Sequence, residues 1–127
     1  MNYENEELKL VDIQMIFSGL IILTVLLSLT VTYNNHLILS GKQPFLTEEE
    51  AKNINVVAKI LALISALAFL FINVMNAELL KEEGKDPKNS YIESGASFLI
   101  VIATIIVLYI SLKNGSDLLI ASENPEI

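Results

Sequence analysis

The chain has 127 residues, 53% of them apolar, a formal net charge of −7 and no cysteine. That acidic balance argues against nucleic acid and against electrostatic anchoring on anionic lipid, and the lack of cysteine excludes disulfides and thiolate metal sites. The distribution of charge decides the class: residues 13–41, 60–77 and 94–112 carry no charged side chain, and the charges crowd the segments between.

A helix rises about 1.5 Å per residue and a bilayer's hydrocarbon core is about 30 Å thick, so roughly 20 apolar residues cross it. The first run exceeds that length and the other two lie at its lower edge. In water, such a helix would need a polar face opposite its apolar stripe. Leu20, Ile22, Leu23, Leu26, Leu27 and Leu29 cover most directions around the first helix and leave none. The expected fold is therefore all-α: an integral membrane protein with three transmembrane helices in an antiparallel up-down-up bundle, helices 1 and 2 extending beyond the bilayer, as one domain over residues 1–127.

The opening MNYENEELK is acidic and lacks the basic start of a signal peptide, and no Ala-x-Ala site follows the first run. The first span is expected to stay in the mature protein. Helix 1 is expected over about 6–40, with Glu6 and Glu7 at the positive end of its dipole. Tyr33, Asn34, Asn35 and His36 fall near one bilayer edge, Gly41 is the expected C′ residue, and Pro44 stops continuation.

Thr47 and Glu50 read as a capping box that starts helix 2, expected over about 48–83. Its first turns place Ile54, Val57, Ala58 and Leu61 on one side, with Glu49, Lys52, Asn53 and Asn55 elsewhere. Lys59 enters the apolar part, where snorkelling to the headgroups is the ordinary behaviour. Gly84 ends the helix, and Asp86-Pro87 makes a turn. Ser90 and Glu93 read as a second capping box, which sets helix 3 at about 91–113 with Gly115 beyond it. Residues 114–127 form a short tail whose apolar patch, Leu118 to Ala121, is too short to cross.

Tyr33, Tyr91 and Tyr109 lie where an aromatic belt would place them. Lysines in the short flanking segments are almost evenly divided between the two faces. The compact Lys81, Lys85 and Lys88 group tips the balance to a cytoplasmic N-terminus. All eight basic residues are lysine, and Ile and Asn are frequent, which points to an AT-rich coding genome and a prokaryotic cell membrane.

Leucine gains little by leaving lipid tails, whereas small residues let backbones approach and polar ones bond across helices. The expected packing seams follow stripes of such residues: Gln14, Ser18, Ser28 and Thr32 on helix 1, with Ile21 and Val25 between them; Ala58, Ala62, Ser65, Ala66, Asn73 and Asn76 on helix 2; Ser94, Ser97, Thr104 and Ser111 on helix 3. The competing reading of the hydroxyls is bonding to carbonyls of their own helix. Asn73 and Asn76 are expected to make structural hydrogen bonds, with ion or solute coordination as the alternative. Asp12 and Glu93 sit at helix starts, where the dipole favours carboxylates. His36, the only histidine, cannot build a His-rich metal site.

No catalytic triad, phosphate loop, HExxH or dinucleotide fingerprint occurs, and no ionisable residue lies near the middle of a span. Neither an enzyme nor a bound cofactor or metal is expected. The first functional expectation is association in the bilayer, as a homo-oligomer or within a larger membrane complex: an accessory subunit, scaffold or immunity-type protein. A pore former is the alternative; the chain resembles holins in length and span count alone. A small secondary transporter is third, because no proline interrupts a span and Gly19 is the only glycine well inside one.

Overall fold

A computed structural model describes residues 3–114, and all regular structure among them is helical: α1 (Tyr3–Leu39), α2 (Glu48–Glu82) and α3 (Lys88–Asn114). Each helix is long and apolar enough to cross a membrane. At about 1.5 Å per residue they extend roughly 55, 52 and 40 Å. The expected tail patch and Gly115 lie outside the described residues.

Both connections share the pattern Gly-Lys-x-Pro, and each ends its helix in the same way. Gly41 and Gly84 take φ of 75° and 77°. Lys42 N–H bonds the Leu37 carbonyl at 2.8 Å and Gly41 N–H that of Ile38 at 3.1 Å; Lys85 to Leu80 and Gly84 to Lys81 repeat the pair at 2.8 and 3.1 Å. These are Schellman closures, and they need a residue that enters the left-handed region without a Cβ penalty. Gly84→Ala is expected to cost about 1–2 kcal/mol of stability, read as a lowered midpoint in thermal melts in mild detergent.

The helix starts differ from one another. Thr47 caps α2 as expected: Glu50 N–H bonds Thr47 Oγ1 at 3.1 Å and Thr47 N–H bonds Glu50 Oε1 at 3.0 Å. α3, however, starts at Lys88, three residues before the expected 91. Asp86 Oδ1 accepts from Lys88 N–H at 3.0 Å, and the Pro87 carbonyl accepts from Tyr91 N–H at 3.0 Å. An Asp cap followed by proline in the first turn is a stronger start than Ser90. Ser90 is thereby left inside the helix with its hydroxyl free for another role. α1 also begins earlier than expected, with Tyr3 donating its phenolic hydrogen to the Glu82 carbonyl at 3.1 Å.

α2 is the central element. It packs against both α1 and α3, which scarcely meet each other. The start of α1 lies by the end of α2 at Tyr3–Glu82, and Asn34 by the start of α2. Asn55 meets Ser111 and Asn76 meets Ser90, so α3 likewise runs opposite to α2.

Candidate functional site

The inner face of α2 collects the polar chemistry of the chain. Asn55, Lys59, Ala62, Ala66, Phe69, Asn73 and Asn76 recur every three or four residues, the spacing that keeps side chains on one helix face. Three amides from this face bond hydroxyls of α3. Asn55 Nδ2 donates to Ser111 Oγ at 3.3 Å, Asn73 Nδ2 to Ser97 Oγ at 2.6 Å, and Asn76 Nδ2 to Ser90 Oγ at 2.7 Å. The last two are short, direct bonds. An amide enclosed without a partner is costly, and these pairings remove that cost along nearly the whole α2–α3 contact.

Four further hydroxyls serve their own helices. Thr24 Oγ1 donates to the Leu20 carbonyl, Ser65 Oγ to Leu61, Ser94 Oγ to Ser90 and Thr104 Oγ1 to Ile100. α1 meets α2 through Leu10, Thr24, Ser28, Val31, Asn34 and Asn35, all buried. Asn34 Oδ1 accepts from the backbone N–H groups of both Phe45 and Leu46 at 3.0 Å.

Of the residues expected in the seams, Ser94, Ser97, Thr104 and Ser111 are buried on α3, and Ala58, Ser65 and Ala66 on α2. Ala62, Asn73 and Asn76 are half-buried. On α1 only Ser28 is buried; Gln14, Ser18 and Thr32 face outward. The inward face of α1 is turned toward Thr24 and Val31 and away from Val25 and Thr32. Two expectations for α2 are corrected as well. Asn55 is enclosed rather than on a polar outer side, and Lys59 is 1% exposed rather than snorkelling outward. Lys59 has an interaction partner inside the chain.

The register fixed by Tyr3–Glu82 and Asn34–Leu46 sets Ser28 opposite the turn of α2 that carries Asn55, and Asn55 in turn bonds Ser111 of α3. Lys59 lies one turn further along the same face of α2. Ser28 Oγ and Asn55 Oδ1 are enclosed and have no hydrogen-bond partner. Next along α2, between α1 and α3, is a cleft of about 450 Å³ floored by Ala62, Ala66 and Phe69 and walled by Ile21, Val25 and Ile100. Thr24, Ser65, Ser97 and Thr104 also line it, but their hydroxyls are engaged in the bonds above, so the cleft presents an apolar surface.

Charge gathers where α1 begins and α2 ends. The Glu83 carboxylate hydrogen-bonds and repels Glu7, holding the Glu7 carboxyl above the ordinary carboxylate range. Lys85 lies 3.1 Å from Glu83; its hydrogen bond holds Glu83 below that range, and Lys85 is raised in return. A raised Glu7 contributes stability while protonated and loses it as pH rises through its folded pKa. A lowered Glu83 contributes above its unfolded pKa and loses it as pH falls through its folded value. This corner is therefore most favourable between the two folded pKa values, with Glu7 protonated and Glu83 ionised. Glu7→Gln, which keeps a donor for Glu83, is expected to raise the melting temperature slightly at pH 7. Circular-dichroism melts across pH should show the gap closing as wild-type Glu7 takes up its proton.

The described residues contain no group of three or more His, Cys, Asp or Glu side chains arranged to hold a metal ion. What the fold defines, among the described residues, is three helices and no strands, each helix apolar enough to cross a membrane, with an amide–hydroxyl seam between α2 and α3. Comparison with protein families, curated proteins and solved structures finds no match for the chain.

Proposed function

We propose that this is a small non-enzymatic integral membrane protein that crosses a prokaryotic cell membrane three times, up-down-up, and works through helix–helix association as an accessory subunit, scaffold or immunity-type protein. Its polarity supports the membrane setting. Among the described residues, the enclosed side chains include twelve polar or charged ones against nine hydrophobic ones. Ile16, Leu23, Leu26, Leu29, Leu99 and Ile106 meanwhile point outward. Water would penalise that arrangement heavily, whereas hydrocarbon around the bundle favours it.

The observation that carries association is the outward position of Gln14 and Ser18 on α1. The inner seam is closed without them. A Cβ added at Gly19, beside Ser18, would meet nothing within 4 Å, so the backbone there is open to close approach by another helix. A pore is less well supported, because the hydroxyls of the cleft are engaged and offer no wettable path. A transporter is less well supported because all three helices run without a break. The lysine group at 81, 85 and 88 favours placing the α2–α3 connection and the N-terminus in the cytoplasm.

The test is fractionation followed by mass measurement in mild detergent. The chain is expected in the membrane pellet, released only by detergent, and to run as a homo-oligomer or with another membrane protein. Ser18→Phe on the outer face should dissociate that assembly while leaving the helical signal unchanged. A monodisperse monomer that co-purifies with nothing at high concentration overturns association, and recovery from the supernatant without detergent overturns the membrane setting.

A further inference from the structure

We propose that the cleft between α1 and α3 holds an acyl chain of a glycerolipid, and that Ser97 at its outer end donates a hydrogen bond to the ester carbonyl of that chain. The depth of the cleft sets the first half of this assignment. Because α2 and α3 run in opposite directions, Ser97 and Phe69 mark one end and Thr104 and Ala62 the other. Ser97 is three residues inside the uncharged run that starts at 94, about 4.5 Å along the axis. Thr104 lies near the middle of that run. The cleft thus leads from near one bilayer edge toward the interior, the path an acyl chain takes from its ester group. Its lining runs from Ala62 to Phe69 on α2 and from Ser97 to Thr104 on α3, about 10 Å. A fourth spanning helix would need a furrow of about 30 Å, whereas a volume of about 450 Å³ falls in the range of small-molecule sites. Because α1 and α3 scarcely touch, a chain can enter sideways between them from the surrounding lipid.

The second half comes from a single hydrogen atom. Thr24, Ser65 and Thr104 each donate to a carbonyl of their own helix. Ser97 is engaged the other way round: its oxygen accepts from Asn73 Nδ2 at 2.6 Å, a bond that does not use the hydroxyl hydrogen. Ser97 is 7% exposed and lines the cleft, so the molecule that fills the cleft is what this hydrogen meets. Facing hydrocarbon alone, a hydroxyl donor is costly, and an acceptor oxygen removes the cost. An ester lipid carries its carbonyl at the head of the chain and hydrocarbon below it. That is the order in which the cleft presents Ser97 and then its apolar length. None of the lining side chains is ionisable, so the carbonyl, not the charge of the headgroup, selects the occupant.

The assignment rests on the membrane setting above, and fractionation decides that setting separately. The binding test uses the full chain in mild detergent, with native mass spectrometry after adding diacyl phosphatidylcholine or its dialkyl analogue. The two share headgroup and chain length and differ only in the ester carbonyls. Wild type is expected to retain the diacyl lipid about three- to ten-fold more than the dialkyl one, the effect of one hydrogen bond. The same ratio is expected when phosphatidylglycerol replaces phosphatidylcholine in both forms. Ser97→Ala should bring the ratio near one, and Ser97→Thr, which keeps the hydroxyl, should preserve it. Ala62→Phe, which fills the inner end of the cleft, should lower retention of both lipids. Equal retention of diacyl and dialkyl lipid by wild type overturns the proposal even if Ser97→Ala, which also removes the acceptor of Asn73, fails to fold. So does an unchanged ratio in a folded Ser97→Ala, or a preference that follows the headgroup and not the carbonyl.

Discussion

Replacing Ala58 with leucine is expected to destabilise the bundle by about 1–3 kcal/mol, and by more if the α2 backbone must move to make room. Ala58 is 0% exposed and lies on the face of α2 that both other helices press against. Leucine adds three carbons where no space is left for them. It gains nothing in return, because the lipid tails that would otherwise surround it are as apolar as the site. Ile60→Ala makes the control: Ile60 faces outward, and its truncation is expected to leave stability within about 0.5 kcal/mol. Thermal melts followed by circular dichroism in mild detergent check both. An Ala58→Leu chain as stable as wild type would mean that α2 does not pack through its small residues.

The seam on α3 was legible in the sequence because its small and polar residues form one stripe in an otherwise β-branched and leucine-rich helix. Ser94, Ser97, Thr104 and Ser111 have no competing set of positions. On α1 the same rule allowed two faces about one residue apart, through Val25 and Thr32 or through Thr24 and Val31, and only packing against α2 chooses between them. Gln14 and Ser18 drew the reading toward the outward one. Asn55 and Lys59 were obscured for a different reason. Their neighbours Lys52 and Asn53 are exposed, so the whole opening of α2 read as ordinary amphipathic helix. That the polar side is enclosed depends on Ser111, 56 residues away. Helix ends were legible where one cap had no rival, as at Thr47, Gly41 and Gly84. They were misread at Ser90, where Asp86-Pro87 offered a better start four residues earlier.

Asn34 carries the second large effect, and local pattern offered no sign of it. Its side chain is 1% exposed, and a single oxygen accepts from two backbone donors, Phe45 and Leu46, across the α1–α2 turn. Those two residues immediately precede the Thr47 cap, so one amide fixes both the turn and the entry angle of α2. The Tyr33 and Phe45 rings, 5.9 Å apart, close over the same turn. Asn34→Leu removes the acceptor and leaves two N–H groups to find another. With roughly 1–3 kcal/mol for each enclosed group left unmade, and partial relief from water at the turn, the expected loss is about 2–4 kcal/mol. Asn34→Asp keeps the acceptor oxygen but encloses a charge, so it should fall between wild type and leucine. Amide hydrogen exchange supplies the local readout: in Asn34→Leu, protection at Phe45 and Leu46 should fall before protection within α3 does. Uniform loss across all three helices would instead mean that this turn has no stability of its own and that the bundle opens as a single unit.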